Sequence, residues 1–297
     1  MATVIEVKDL TKRYRDLTAV DGVSLKIEQH GIYGLLGRNG AGKTTLMQLL
    51  AGHEFPTGGQ VQVLGENPVE NSSVLANVAI IKESQKYPEN YKLHHVLKFA
   101  SQTFKNWDND FALELVAQFR LTLGKQVRKF SRGQLSAVGV IVGLASRAPI
   151  TIYDEPYLGM DAVARKQFYD LLLADYIKHP RTIVLSTHLI DEVADLLEHV
   201  FVIDEGRIIL DSNADELRGS AVILEGPAEQ LAALTNGHEI LESESIGNQQ
   251  RIVVLGLSNQ ELSTAKSQGF GVHAASLQQL IIGKTSGLTK QEMDIKL

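Results

Sequence analysis

No cysteine occurs in the 297-residue sequence. Disulfides, thiolate metal sites and a cysteine nucleophile are therefore excluded. Seven prolines are too few for a collagen-like or proline-rich chain, and aromatic residues make up only 6%, with a single tryptophan. No run of five like charges appears, and the net charge is −6. The basic footprint of a nucleic-acid binder is missing, so no nucleic acid is expected among the partners. The longest unbroken apolar stretch, Ala137 to Ala145, is roughly half of the ~20 residues that a membrane-spanning helix needs. The first ten residues, MATVIEVKDL, mix acids with apolar side chains and do not read as a signal peptide.

What remains is an ordinary folded composition, 44% hydrophobic and 22% charged. At about 150 residues per domain, the length suggests two domains. Short β-branched runs alternate with longer helical patterns, which is the mark of α/β architecture. Strands are expected at Val23–Ile27, Ile32–Leu36, Gln60–Leu64 and Val78–Ile81. From Leu93 the period becomes helical, through Leu93, Val96, Leu97 and Ala100, then Leu113, Val116, Ala117 and Arg120. This predicts a helical subdomain over about 84–147. Strands return at Ile150–Tyr153, Thr182–Leu185, Val200–Ile203 and Arg207–Leu210. A helix carrying Phe168, Leu171, Leu172 and Asp175 lies between them and is stopped by Pro180.

A boundary is expected near Gly219, giving domains of 1–216 and 217–297. The second reads strand, helix, strand, strand, helix, strand, a small α+β module in the ferredoxin-like βαββαβ order. No periodicity is visible after Gly287.

Gly37-Arg38-Asn39-Gly40-Ala41-Gly42-Lys43-Thr44 follows an apolar strand and opens a helical run that begins at Thr45. It matches G-x-x-x-x-G-K-[ST] in the context that the motif requires. Glycines let successive backbone N–H groups turn toward phosphate oxygens, and a helix N-terminus adds positive potential. Lys43 is suited to the β and γ phosphates, and the Thr44 hydroxyl to Mg²⁺. The expected fold class is thus α/β, a P-loop NTPase.

A second apolar strand ends in Asp154-Glu155-Pro156. Acids at a strand's C-terminal end lie where α/β sheets bind ligands. Asp154 is suited to hold Mg²⁺ and Glu155 to orient or deprotonate an attacking water. The rival reading, a solvated turn, loses ground beside the phosphate loop.

With these motifs, residues 1 to 216 resemble the ATP-binding subunit of an ABC transporter. Phe130-Ser131-Arg132-Gly133-Gln134 resembles the signature Leu-Ser-Gly-Gly-Gln, with Phe130 and Arg132 as departures. The resemblance implies that Ser131, Gly133 and Gln134 meet the nucleotide held by a second ATP-binding subunit. It also implies that Asp161, in Leu158-Gly159-Met160-Asp161, links the two sites, and that His188, after Ser186-Thr187, senses the γ-phosphate. Tyr14 resembles the aromatic that stacks on adenine; a partly buried tyrosine at a strand edge is its rival. At the glutamine loop, Glu83 takes the place of glutamine, with Gln85 as the alternative. His94 and His95, adjacent on a helix, are expected to face different sides.

The stretch FYDLLLADYIKHPRTIVLSTH resembles small exporter-type ATPases with ABC-2-type partners. The resemblance implies ATP and Mg²⁺ as cofactors, an integral membrane permease on another chain, and a homo- or heterodimer. ATP hydrolysis would drive export of a drug, peptide or lipid-like compound from the cytoplasmic, inner face of the cell membrane. The alternative is a soluble ABC-type ATPase acting in translation or on nucleic acid. The C-terminal module is either regulatory, a dimerisation aid, or a stabilising cap.

Overall fold

In the computed structural model, residues 2–82 and 85–294 are described, 246 and 286–294 by backbone only. The chain divides into two compact units, Met1–Asp211 and Ser212–Leu297.

The strands of the first unit are β1 (Thr3–Tyr14), β2 (Leu17–Glu28), β3 (Gly31–Leu36), β4 (Gly58–Val63), β5 (Val78–Lys82), β6 (Ile150–Asp154), β7 (Thr182–Thr187), β8 (His199–Asp204) and β9 (Arg207–Asn213). They form an antiparallel sheet, β2-β1-β4, and a six-stranded sheet in the order β5-β6-β7-β3-β8-β9. β3, β6 and β7 are buried at every residue. Parallel strands covered on both faces require such unbroken burial. Their parallel registers bring Leu36 beside Thr187 and Asp154 beside Ser186, so the motif-bearing ends share one edge.

The antiparallel sheet exceeds the sequence reading, which found parts of β2 and β4 but not β1. Register shifts between Val7 and Leu10 and again by Arg13 break the two-residue alternation that betrays a strand.

The helical stretch folds as Leu93–Thr103, Asn109–Gln118 and Arg132–Ser146. The first buries Leu93, Val96, Leu97 and Ala100, the expected face. The second buries Ala112, Leu115 and Val116, whereas Leu113, Ala117 and Arg120 are exposed, a correction. Both sets satisfy helical spacing, and tertiary contact selects the phase. The third is buried from Ser136 to Ser146 and holds the longest apolar run as a core helix. His94 and His95 do not diverge either; their ring centroids are 4.1 Å apart. In this first turn His94 Nδ1 lies 3.1 Å from Leu123 O, while His95 Nδ1 accepts from the Lys92 N–H.

Helix Ala162–Lys178 ends before Pro180 and buries Asp175, whose carboxylate accepts from Arg181 at 2.7 Å and Arg147 at 3.3 Å. Asp175 and Arg181 are both almost wholly buried. Removing one partner of such a pair strands the other charge in a low dielectric. Asp175→Ala is therefore expected to lose about 3–5 kcal/mol, read as a lower urea midpoint. An unchanged midpoint would show the pair to be idle.

The second unit contains β10 (Ala221–Pro227), β11 (Ile240–Ile246), β12 (Gln249–Leu255) and β13 (Gly271–Ala274). Its sheet order is β11-β12-β10-β13 and each neighbouring pair is antiparallel. With helices Ala228–Leu234 and Asn259–Ser267 in the crossovers, this is the split-βαβ arrangement. Val222, Leu224, Leu231, Ile252, Val254, Ala265 and Phe270 form its core.

The stretch after Gly287, without periodicity in the sequence, belongs to a helix, Leu277–Asp294. Its start is fixed upstream, where Ser276 and Gln279 exchange side-chain-to-backbone hydrogen bonds and Leu277, Leu280 and Ile281 are buried. Once nucleated, a helix propagates through residues that would not start one. Among the described residues no helix is long and apolar enough to cross a membrane.

Candidate functional site

The loop after β3 turns back under positive φ at Gly37, Gly40 and Gly42. At Gly37 a Cβ would collide with Ile203 O, and at Gly42 with Ala19 O. Glycine is thus required twice, by dihedral and by space. The loop feeds helix Lys43–Leu50. Lys43 is 5% exposed, and its Nζ donates to Gly37 O at 2.7 Å and Arg38 O at 3.0 Å. The Ala41 N–H donates to Arg38 O at 3.2 Å and closes the turn.

At the neighbouring strand ends, Ser186 Oγ accepts from the Glu155 N–H at 3.0 Å and donates to Asp154 Oδ1 at 2.9 Å. Asp154 is buried. Glu155 takes the left-handed backbone, φ 46°, a region that side chains with a Cβ seldom occupy. Its carboxylate bridges two cation-capable groups. Oε1 lies 3.5 Å from Lys43 Nζ, and Oε2 lies 3.0 Å from His188 Nδ1. Because a carboxylate only accepts, the bond assigns a proton to Nδ1.

Tyr157 stands two residues beyond Glu155, and its hydroxyl lies 2.7 Å from Thr187 Oγ1 and accepts from the His188 N–H at 3.3 Å. Burial pushes its phenol up to about 12, so the hydroxyl keeps its proton at neutral pH.

A pocket of about 630 Å³ opens beside these groups, and Asp154, Ser186 and Tyr157 do not line it. It gathers Asn39, Gly40, Gly42, Lys43, Thr44 and Thr45 from the phosphate loop, Glu155 and His188 from the opposing strand ends, and Tyr14. Tyr14 closes the β1–β2 hairpin opposite Leu17, with Lys12 Nζ 4.8 Å from its ring centroid. Leu17 and Ala19 also line the pocket and had no signal in the sequence; Leu158 lines it too and was read only as part of the Asp161 motif. Ser186, inside a motif string, and Tyr157, between two of them, likewise escaped assignment.

Other expected site residues lie elsewhere. Ser131 caps helix Arg132–Ser146, accepting from the Gln134 N–H at 3.3 Å, while Gln134 Oε1 accepts from the Ser131 N–H at 3.2 Å. Gly133 is set against Gly159, where a Cβ would strike the carbonyl oxygen. Ser136 Oγ donates to Leu158 O at 2.7 Å. Asp161 caps helix Ala162–Lys178, accepting from the Ala164 N–H at 2.8 Å. None of Ser131, Gly133, Gln134 and Asp161 lines the pocket. Gln85 lines a separate apolar groove of about 290 Å³ with Ile80, Tyr87 and Phe99. Glu83 lies outside the described residues.

Residues 20–158 match the family described as ABC transporter. The chain is 33% identical over 222 residues to the bacitracin transport ATP-binding protein BcrA of Bacillus licheniformis, covering 73% of this chain and 72% of the relative. Among solved structures, the ATP-binding subunit of an ABC transporter superposes with a TM-score of 0.65 at 24% identity, covering 72% of this chain and 92% of that one. A bacterial ABC transporter cassette solved as a dimer gives a TM-score of 0.64 at 19% identity, over 71% of this chain and 98% of that one. A phosphate loop facing paired strand-end acids, carried by a chain with this degree of identity over most of its relative, leads to one conclusion: the protein belongs to the ATP-binding subunits of ABC transporters and is an ATP-hydrolysing enzyme.

Proposed function

We propose that two ATP-binding subunits close on two ATP molecules and drive a separate integral membrane permease. The observation that carries this reading is the division of groups within one chain. Lys43, Thr44, Glu155 and His188 share a pocket, whereas Ser131, Gly133 and Asp161 lie away from it. A second copy, or a homologous subunit, would bring Ser131, Gly133 and Gln134 to the phosphate side of that pocket.

In this reading the glycine loop and Lys43 bind the phosphates, and Tyr14 stacks on the adenine. A buried cation and loop N–H groups suit polyphosphate, and an aromatic face suits any base. Among the described residues no cluster of three His, Asp or Glu offers a closed metal cage. Mg²⁺ needs none, since it keeps waters and phosphate oxygens and takes one or two protein oxygens. The Thr44 hydroxyl and the Asp154 carboxylate fit that demand, with Glu83 as a further oxygen donor. When bound, the ion neutralises phosphate charge. Glu155 takes a proton from the attacking water, a P–O bond forms at the γ-phosphorus, and the bond to ADP breaks. His188 holds Glu155 through Nδ1–H and lines the same pocket.

The work is done on the inner face of the cell membrane. The bacitracin transport relative favours a peptide-like or drug-like cargo, with specificity in the permease. Detergent extraction of the host membranes is the test. An integral membrane protein is expected to co-elute with this chain in stoichiometric amount, and the complex should hydrolyse ATP. Elution without any membrane protein from ATPase-competent extracts would overturn the transport reading.

A further inference from the structure

The tyrosine between the strand-end acids and the cap at Asp161 is buried, 2% exposed, with its ring held edge-on to Tyr169 at 6.4 Å. Its hydroxyl is the one polar atom of a side chain otherwise suited to simple packing. That hydroxyl reaches across to the end of β7 and meets consecutive residues there. It lies 2.7 Å from Thr187 Oγ1, accepts from the His188 N–H at 3.3 Å, and sits 3.4 Å from His188 Nδ1. Thr187 Oγ1 in turn accepts from the Leu189 N–H at 2.9 Å. The turn from 187 to 189 is thereby tied to one phenol. On its other side the same phenol belongs to the segment that carries Glu155.

The consequence is geometric. His188 is 39% exposed at its side chain, and its ring is held at Nδ1 by Glu155 Oε2. A half-exposed imidazole with a single anchor samples several rotamers. Fixing its backbone N–H and flanking its Nδ1 removes that freedom before any nucleotide arrives.

We propose that the Tyr157 hydroxyl is the positioning group that holds His188 against Glu155 and so sets the turnover rate. It does not line the nucleotide pocket and acts through the histidine. This rests on the assignment of Glu155 and His188 as acting groups.

Tyr157→Phe removes the hydroxyl and keeps the ring. Loss of a neutral hydrogen-bond network of this size corresponds to about a tenfold fall in kcat. ATP affinity is expected to hold, since the phenol does not line the pocket. In the full-length chain, Tyr157→Phe should lower kcat with KM for ATP unchanged, at a melting temperature close to wild type. In a His188→Ala background the same substitution should have no further effect. Equal losses in both backgrounds would place the hydroxyl's effect elsewhere and overturn the proposal, as would wild-type kcat in Tyr157→Phe. Ring ¹⁵N shifts of His188, identified by their loss in His188→Ala, give a reading independent of catalysis. They should move in Tyr157→Phe, and unmoved shifts would refute positioning. Wild-type turnover in His188→Ala would instead refute the role given to the histidine, and the shifts would still decide whether Tyr157 positions it.

Discussion

Glu155→Gln is expected to cut ATP turnover by about 10²–10⁴-fold while ATP binding persists. The amide keeps the shape of the carboxylate, and its oxygen can still accept from His188 Nδ1–H, now 3.0 Å from Oε2. What it cannot do is take a proton from water. It also removes a negative charge 3.5 Å from Lys43 Nζ, leaving that cation with no carboxylate competing with phosphate. Nucleotide titration should therefore give a dissociation constant equal to or lower than wild type. Gel filtration with ATP should show a longer-lived dimer. Turnover at the wild-type rate would remove Glu155 from the reaction.

Lys43→Ala should fail in the opposite way, at binding. The lysine is the buried cation of the pocket, and two loop carbonyls hold its ammonium in place. Charge-assisted hydrogen bonds are worth about 1.5–3 kcal/mol each, so ATP affinity should fall on the order of 100-fold. The measurement is equilibrium binding of a fluorescent ATP analogue, with Glu155→Gln as the binding-competent control. Unchanged affinity would place the phosphates elsewhere. Lys43→Arg is no conservative rescue, because a planar guanidinium cannot occupy the space of a compact ammonium held by Gly37 O and Arg38 O.

The phosphate loop was legible in the sequence because its chemistry is local. Gly37 to Thr44 form one turn, and the residues that make it are the residues that use it. Asp154 and Glu155 were legible for a related reason, since an apolar strand ending in acids announces an edge. The bonds that set their geometry were not. Ser186 reaches Asp154 and Tyr157 reaches Thr187 only because β6 and β7 lie side by side, about thirty residues apart in sequence. No window along the chain contains both partners. β1 was hidden by its bulges, and the buried phase of helix Asn109–Gln118 by a spacing that two faces satisfy equally. Leu277, Leu280 and Ile281 do carry a helical signal for the last helix, but Gly283 and Gly287 mask its continuation.

The left-handed backbone at Glu155 bears on how this chain can change over generations. A Cβ residue at φ 46° costs about 1–3 kcal/mol that glycine would not. Libraries screened for heat resistance alone would therefore drift toward glycine at 155, gaining stability as they lost turnover. Glutamate at that dihedral gives up durability to place a carboxylate between Lys43 and His188.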